Sequence, residues 1–182
     1  GTDAGEFIEL AGTAGINLAD YALIRYNGST PSAAVIYTTT SQITPLTGTI
    51  PSQSNGYGTF AVYYDVNGLQ NGTNDGVALV NVTTSTVVQL LSYEGVFTVA
   101  SGQGLASGMT STDIGVSEAG TISGGSVALA GTGNQYSQFT WQTEAAPATP
   151  GAINTGQSFP SATNIVTLLV NDGNGNTATC QA

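Results

Sequence analysis

The sequence predicts an all-β protein built as an antiparallel sandwich, and three observations carry that expectation. Helical periodicity is scarce, while short β-branched and aromatic runs recur between clusters of Gly, Asn, Pro and Ser. Hydrophobic residues make up 40% of the 182 and eight residues are tyrosine, so the chain is far from the charged, apolar-poor composition of disordered segments. A chain of this length buries roughly 70% of its unfolded surface, enough for a core of ordinary size.

Strands are expected at residues 6–10, 21–26, 34–38, 59–64, 77–80, 87–92, 126–130 and 138–141. In the second run alternation puts Tyr21, Leu23 and Arg25 on one face and Ala22, Ile24 and Tyr26 on the other. Neither face is cleanly polar, so alternation leaves open which side is core. Between residues 94 and 125 the strand signal lapses into a Gly-rich stretch around Gly102, Gly104 and Gly108. A connection this long reads as a packed loop closing one end of the sandwich, with a site as the alternative. On the 138–141 run Phe139 and Trp141 share a face, which reads as a buried aromatic pair; with Tyr136 the alternative is a carbohydrate-stacking platform. A boundary is expected near Phe159, followed by residues 165–170, an Asn/Asp/Gly turn at 171–176 and residues 177–180 as a second hairpin. The expected organisation is therefore a domain at 1–159, then a linker and hairpin fragment at 160–182.

Composition removes several function classes. The chain has one basic side chain, Arg25, with no lysine and no histidine, so it lacks the usual general base and the commonest metal ligand. Hence no enzymatic activity is expected. A formal net charge of −10 should repel phosphate backbones, so no direct nucleic-acid partner is expected, and no run of 18 apolar residues exists to insert in a membrane. Lacking an initiator Met, a signal peptide and a sorting tail, the sequence reads as a mature or excised piece of a longer protein. Cys180 is the single cysteine, and is expected either to pair beyond this chain or to remain a thiol.

The richest oxygen cluster runs from Asp65 to Gly76. Asp65, Asn67, Asn71, Asn74 and Asp75 are the candidate calcium ligands, since calcium takes six to eight oxygens and the interspersed glycines let a loop wrap an ion. The segment lacks the spacing and terminal glutamate of an EF-hand, and the same residues suit an ordinary Asn/Gly connection. Glu94 with Asp113 or Glu118 has the residue types of a glycosidase pair, which is the weaker reading. Glu6 and Glu9, three apart on a strand, face opposite ways.

Several segments in order resemble the bacterial branch of the lamin-tail domain family. They are Glu6-Phe7-Ile8-Glu9-Leu10, Leu18-Ala19-Asp20-Tyr21-Ala22-Leu23, Asn71-Gly72-Thr73-Asn74-Asp75-Gly76-Val77-Ala78-Leu79-Val80, Leu91-Ser92-Tyr93-Glu94-Gly95, Ser111-Thr112-Asp113-Ile114-Gly115-Val116, Phe139-Thr140-Trp141 and Thr149-Pro150-Gly151-Ala152-Ile153-Asn154. Tyr21 stands where that family commonly has tryptophan. The resemblance, over 1–159, implies an immunoglobulin-like antiparallel β-sandwich with no catalytic residues to carry over. The tail is similar to the last hairpin of a hyalin-repeat module, whose Asp-x-x-Gly-Asn turn leads to a cysteine. Both resemblances imply an extracellular or cell-surface bacterial protein whose partners are other domains or subunits of an assembly. The expected function is a non-catalytic module for adhesion, spacing or assembly. The alternatives are an accessory domain of a secreted nuclease or phosphatase, and a carbohydrate-binding module.

Overall fold

The computed structural model describes residues 5–37, 43–69, 72–117, 124–144, 147–161, 167–171 and 177–181. These residues contain thirteen strands, two 3₁₀ turns at Leu18–Asp20 and Tyr136–Gln138, and no α-helix. The strands are β1 (Phe7–Thr13), β2 (Tyr21–Asn27), β3 (Val35–Ile36), β4 (Ile43–Pro45), β5 (Tyr57–Tyr63), β6 (Gly76–Asn81), β7 (Thr86–Ser92), β8 (Thr112–Asp113), β9 (Ser126–Thr132), β10 (Phe139–Glu144), β11 (Gln157–Ser158), β12 (Thr167–Asn171) and β13 (Thr177–Gln181).

The largest sheet has the order β3-β2-β6-β7-β8, with β4 paired to β2 beside β3. Its centre is the antiparallel pair β2–β6, in register Leu23↔Leu79, and β8 joins β7 in parallel. The alternation that gave β2 no polar side has a simple cause, for both faces of this sheet are covered. Ala22, Ile24, Tyr26, Ala78 and Val80 point into one core, while Leu23, Val77 and Leu79 point into the other. The second core is closed by the antiparallel pair β1–β5, which contributes Ile8, Leu10, Phe60 and Val62. Gly76 sits where strands approach most closely: a Cβ there would lie 2.1 Å from the Leu91 carbonyl oxygen and 2.8 Å from the Phe97 ring. Only glycine fits that crossing.

The first core is closed by the Gly-rich segment itself. Phe97, Val99 and Ala106 are buried in it, and Phe97 packs on Tyr26 with ring centroids 5.7 Å apart. Polar anchors hold the segment down. The Tyr26 hydroxyl donates to the Gln103 carbonyl at 2.8 Å, the Ile36 amide donates to Gln103 Oε1 at 3.0 Å, and the Ser92 and Ser111 hydroxyls meet at 2.7 Å in the interior. The segment is thus packed as expected, but it covers a face of the sheet rather than an end. Its glycines adopt left-handed backbone at Gly102, Gly104 and Gly108, which lets so long a connection lie flat on the strands.

A smaller sheet has the order β10-β9-β11, with β9–β10 antiparallel and β9–β11 parallel. Phe159 follows β11 directly, is buried, stacks on Tyr57 at 5.1 Å and touches Phe139 at 5.8 Å. Asn55 Nδ2 donates to the Phe159 carbonyl, and the Gly151 amide donates to Glu9 Oε2 at 2.6 Å. The segment at 147–161 therefore ties the small sheet to the β1–β5 layer. β12 and β13 form a separate antiparallel hairpin in register Leu168↔Cys180.

Candidate functional site

The sole guanidinium organises the polar loop that opens at Asp65. Arg25 lies in the middle of β2 and is only 3% exposed. Its guanidinium carbon stands 4.5 Å from the Tyr64 ring centroid and 5.8 Å from that of Tyr37, and Nη1 donates to the Gly68 carbonyl. A delocalised cation between aromatic faces is attracted by their quadrupoles. The loop is held from two further sides. The Tyr37 hydroxyl donates to the Asn67 carbonyl at 3.1 Å, and Glu6 Oε2 accepts from the Gly68 and Leu69 amides at 2.6 and 3.1 Å. Burial pushes the Tyr64 phenol above its ordinary value, against the opposing influences of a Thr44 side-chain bond and the nearby Arg25 charge. A cavity of about 50 Å³ beside Arg25, lined also by Tyr37, Leu69, Val77 and Tyr93, has room for water but not for a substrate.

The calcium candidates are each placed by this framework. Asp65 is exposed and its carbonyl accepts from the Gly68 amide; Asn67 is exposed, with left-handed backbone. Asn74, also left-handed, donates its side-chain amide to the Val96 carbonyl at 2.9 Å. Asp75 is buried, and its two carboxylate oxygens accept from the Gly28 amide at 2.8 Å and the Gly72 amide at 3.0 Å. Burial pushes its carboxyl above the ordinary value, the two amide bonds act in the opposite sense, and the nearby Glu94 charge adds to the rise. Asn71 lies outside the described residues. No group of three or more acidic, cysteine or histidine side chains able to hold a metal occurs among the described residues.

The other acids behave alike. Glu94 accepts from the Ser117 hydroxyl, Asp113 from the Gly115 amide at 2.9 Å, Asp20 from the Thr83 hydroxyl at 2.7 Å; Glu118 lies outside the described residues. Glu6 and Glu9 reach different loops, as a three-residue spacing on extended chain requires. Chemically, this set of carboxylates acts as acceptors for loop amides and hydroxyls. Charge-assisted bonds of this kind are roughly twice as strong as neutral ones.

The aromatic expectation for β10 needs correction. Phe139 and Trp141 do share a strand face, opposite Gly131 and Leu129 of β9, but they are half-buried and do not form a buried pair. Phe139 is drawn away to Phe159, while Trp141 turns to the 43%-exposed Tyr136, donating Nε1–H to its hydroxyl oxygen at 2.9 Å. The strap through Phe159 covers the Phe139 end of that face. Arg25 was not among the sequence-predicted site residues. Its signal was a charge in mid-strand on a run with no polar side. Compared with models of protein families, with curated proteins and with solved structures, the chain finds no match.

Proposed function

We propose that the chain is a non-catalytic module of a large secreted or cell-surface bacterial protein, a lamin-tail-like, immunoglobulin-like sandwich over 1–159 with the start of a hyalin-like module after it. It serves adhesion, spacing or assembly. The observation that carries this reading is the use made of the charged groups: Arg25, Glu6, Glu9 and Asp75 all bind backbone groups of loops and brace the fold. Catalytic carboxyls, by contrast, work in pairs across a space that admits substrate. The packing of β1–β5 against one face of the larger sheet supports a sandwich core.

The isolated chain incubated with bis-p-nitrophenyl phosphate, p-nitrophenyl acetate and plasmid DNA, with and without magnesium or calcium, should show no turnover above blank. Turnover abolished by one carboxylate substitution would overturn the reading. The coding sequence on either side is a second test: repeated hyalin-like modules support an adhesive or spacing array, and a His- and Asp-rich hydrolase domain replaces it with an accessory role.

A further inference from the structure

Between Glu118 and Asp172 the sequence holds one charged residue, Glu144, in a chain whose net charge is −10. The small sheet built from that stretch presents the chain's only tryptophan and an exposed tyrosine side by side. We propose that the Tyr136–Trp141 end of this sheet is a binding site for an uncharged glycan. The inference rests on the adhesion reading and supplies its ligand class.

The geometry is that of a fixed donor set beside an aromatic ring. Tyr136 Oη accepts the Trp141 indole N–H at 2.9 Å, so the tyrosine's own proton is left to donate to whatever approaches. Gln138 is latched by its carbonyl oxygen, which accepts from the Asn134 and Gln135 amides at 2.9 and 3.0 Å and leaves its NH₂ as donor. The 3₁₀ turn Tyr136–Gln138 presents both groups at the head of β10. Sugar rings combine an apolar C–H face, which stacks on an aromatic ring, with hydroxyl oxygens that accept from such donors. Because these bonds fix the turn's side chains to β10 and to the residues just before the turn, little ordering remains to be done on binding. Charge selects the ligand class: an acidic polysaccharide meets a protein of net charge −10 with its one cation buried, whereas a neutral one meets a stretch with almost no charge.

The test uses the whole chain in native gels cast with neutral polysaccharides (β-glucan, mannan, xylan) or with acidic alginate, together with tryptophan emission on addition of the matching oligosaccharides. Emission reports on this site alone, since Trp141 is the chain's single tryptophan. Retardation by at least one neutral polysaccharide and none by alginate is expected, with a concentration-dependent emission shift. Trp141→Ala should weaken retardation roughly tenfold or more, and Tyr136→Phe, which keeps the ring and removes the hydroxyl, should weaken it less. An unchanged far-ultraviolet spectrum and melting temperature confirm that each variant is folded. Absence of retardation across the neutral panel, retardation unaffected in folded Trp141→Ala, or a dimer that dissociates on Trp141→Ala overturns the inference. None of these results touches the non-catalytic reading, which fails only on turnover.

Discussion

At the scale of single residues, Arg25 and Tyr26 show how adjacent positions on one strand hold loops on opposite faces of a sheet. Arg25, its guanidinium over the Tyr37 and Tyr64 rings, holds the Gly68 carbonyl on one side, and Tyr26 fixes the Gln103 carbonyl on the other. An ammonium cannot reproduce a planar cation stacked on Tyr64, so Arg25→Lys should lower stability by roughly 2–3 kcal/mol in urea melts. A loss under 0.5 kcal/mol would show the stacking to be incidental. Burial pushes the Tyr26 phenol from 10.0 to about 12, against a weaker opposing bond to the Ala106 backbone. A phenol whose folded value is raised contributes its stability below pH 10 and loses it as pH climbs toward 12. The loss is roughly 3 kcal/mol for a shift of that size. Tyr26→Phe should cost about 1 kcal/mol at pH 9 and remove this share of the alkaline decline; parallel declines in both proteins would place the titration elsewhere. Arg25's role was not legible in the sequence, because its partners lie on two other segments, Tyr37 after β3 and Tyr64 with Gly68 after β5, that only the sheet brings together.

The elements were legible to the extent that each buries its own alternating face. β2, β6, β7 and β9 lie within a few residues of where β-branched runs place them. β4, β8 and β11 were missed, since strands of two or three residues carry no pattern, and β4 ends in Pro45, which only an edge strand tolerates. β10 starts one residue late because Tyr136–Gln138 is a turn, and the 34–38 run yields only Val35–Ile36 among the described residues. The double burial of the central sheet was hidden for a different reason: one of its covers is a segment with no strand pattern of its own. The small sheet depends on a comparable irregular cover. Phe159→Ala removes the Tyr57 stack and the Phe139 contact together, and should lower stability by about 3 kcal/mol. Amide exchange should then quicken in β9 and β10 while β2 and β6 keep their protection. Uniform loss of protection would mean that the two sheets unfold as one unit.

For the whole molecule, the decisive fact is that the only basic side chain is inside and bound. The side-chain charges left facing water are acidic, and they repel one another across the surface. Raising sodium chloride from about 0.01 to 0.15 M shortens the screening length from roughly 30 to 8 Å, so the melting temperature should rise. A fall would reveal attractive surface pairs. The same field predicts no retardation of duplex DNA at low salt; a shift at micromolar protein without metal would contradict it.

The seat of Arg25 also decides how the chain meets a trypsin-like protease. Such enzymes cut after arginine or lysine, and this chain offers one such bond, in the middle of β2 with β6 on one side and β3 and β4 on the other. A protease needs several extended residues free of their ladder, so the folded molecule should resist trypsin, being cut only when it opens, and the unfolded chain should be cut once. That single cut becomes a clock for unfolding: its rate should follow the population of open molecules through a denaturant series. Cleavage at a rate indifferent to denaturant would mean that β2 detaches by itself. The bond that trypsin-like enzymes would need thus lies in the strand that both cores share, where opening the site means opening the fold.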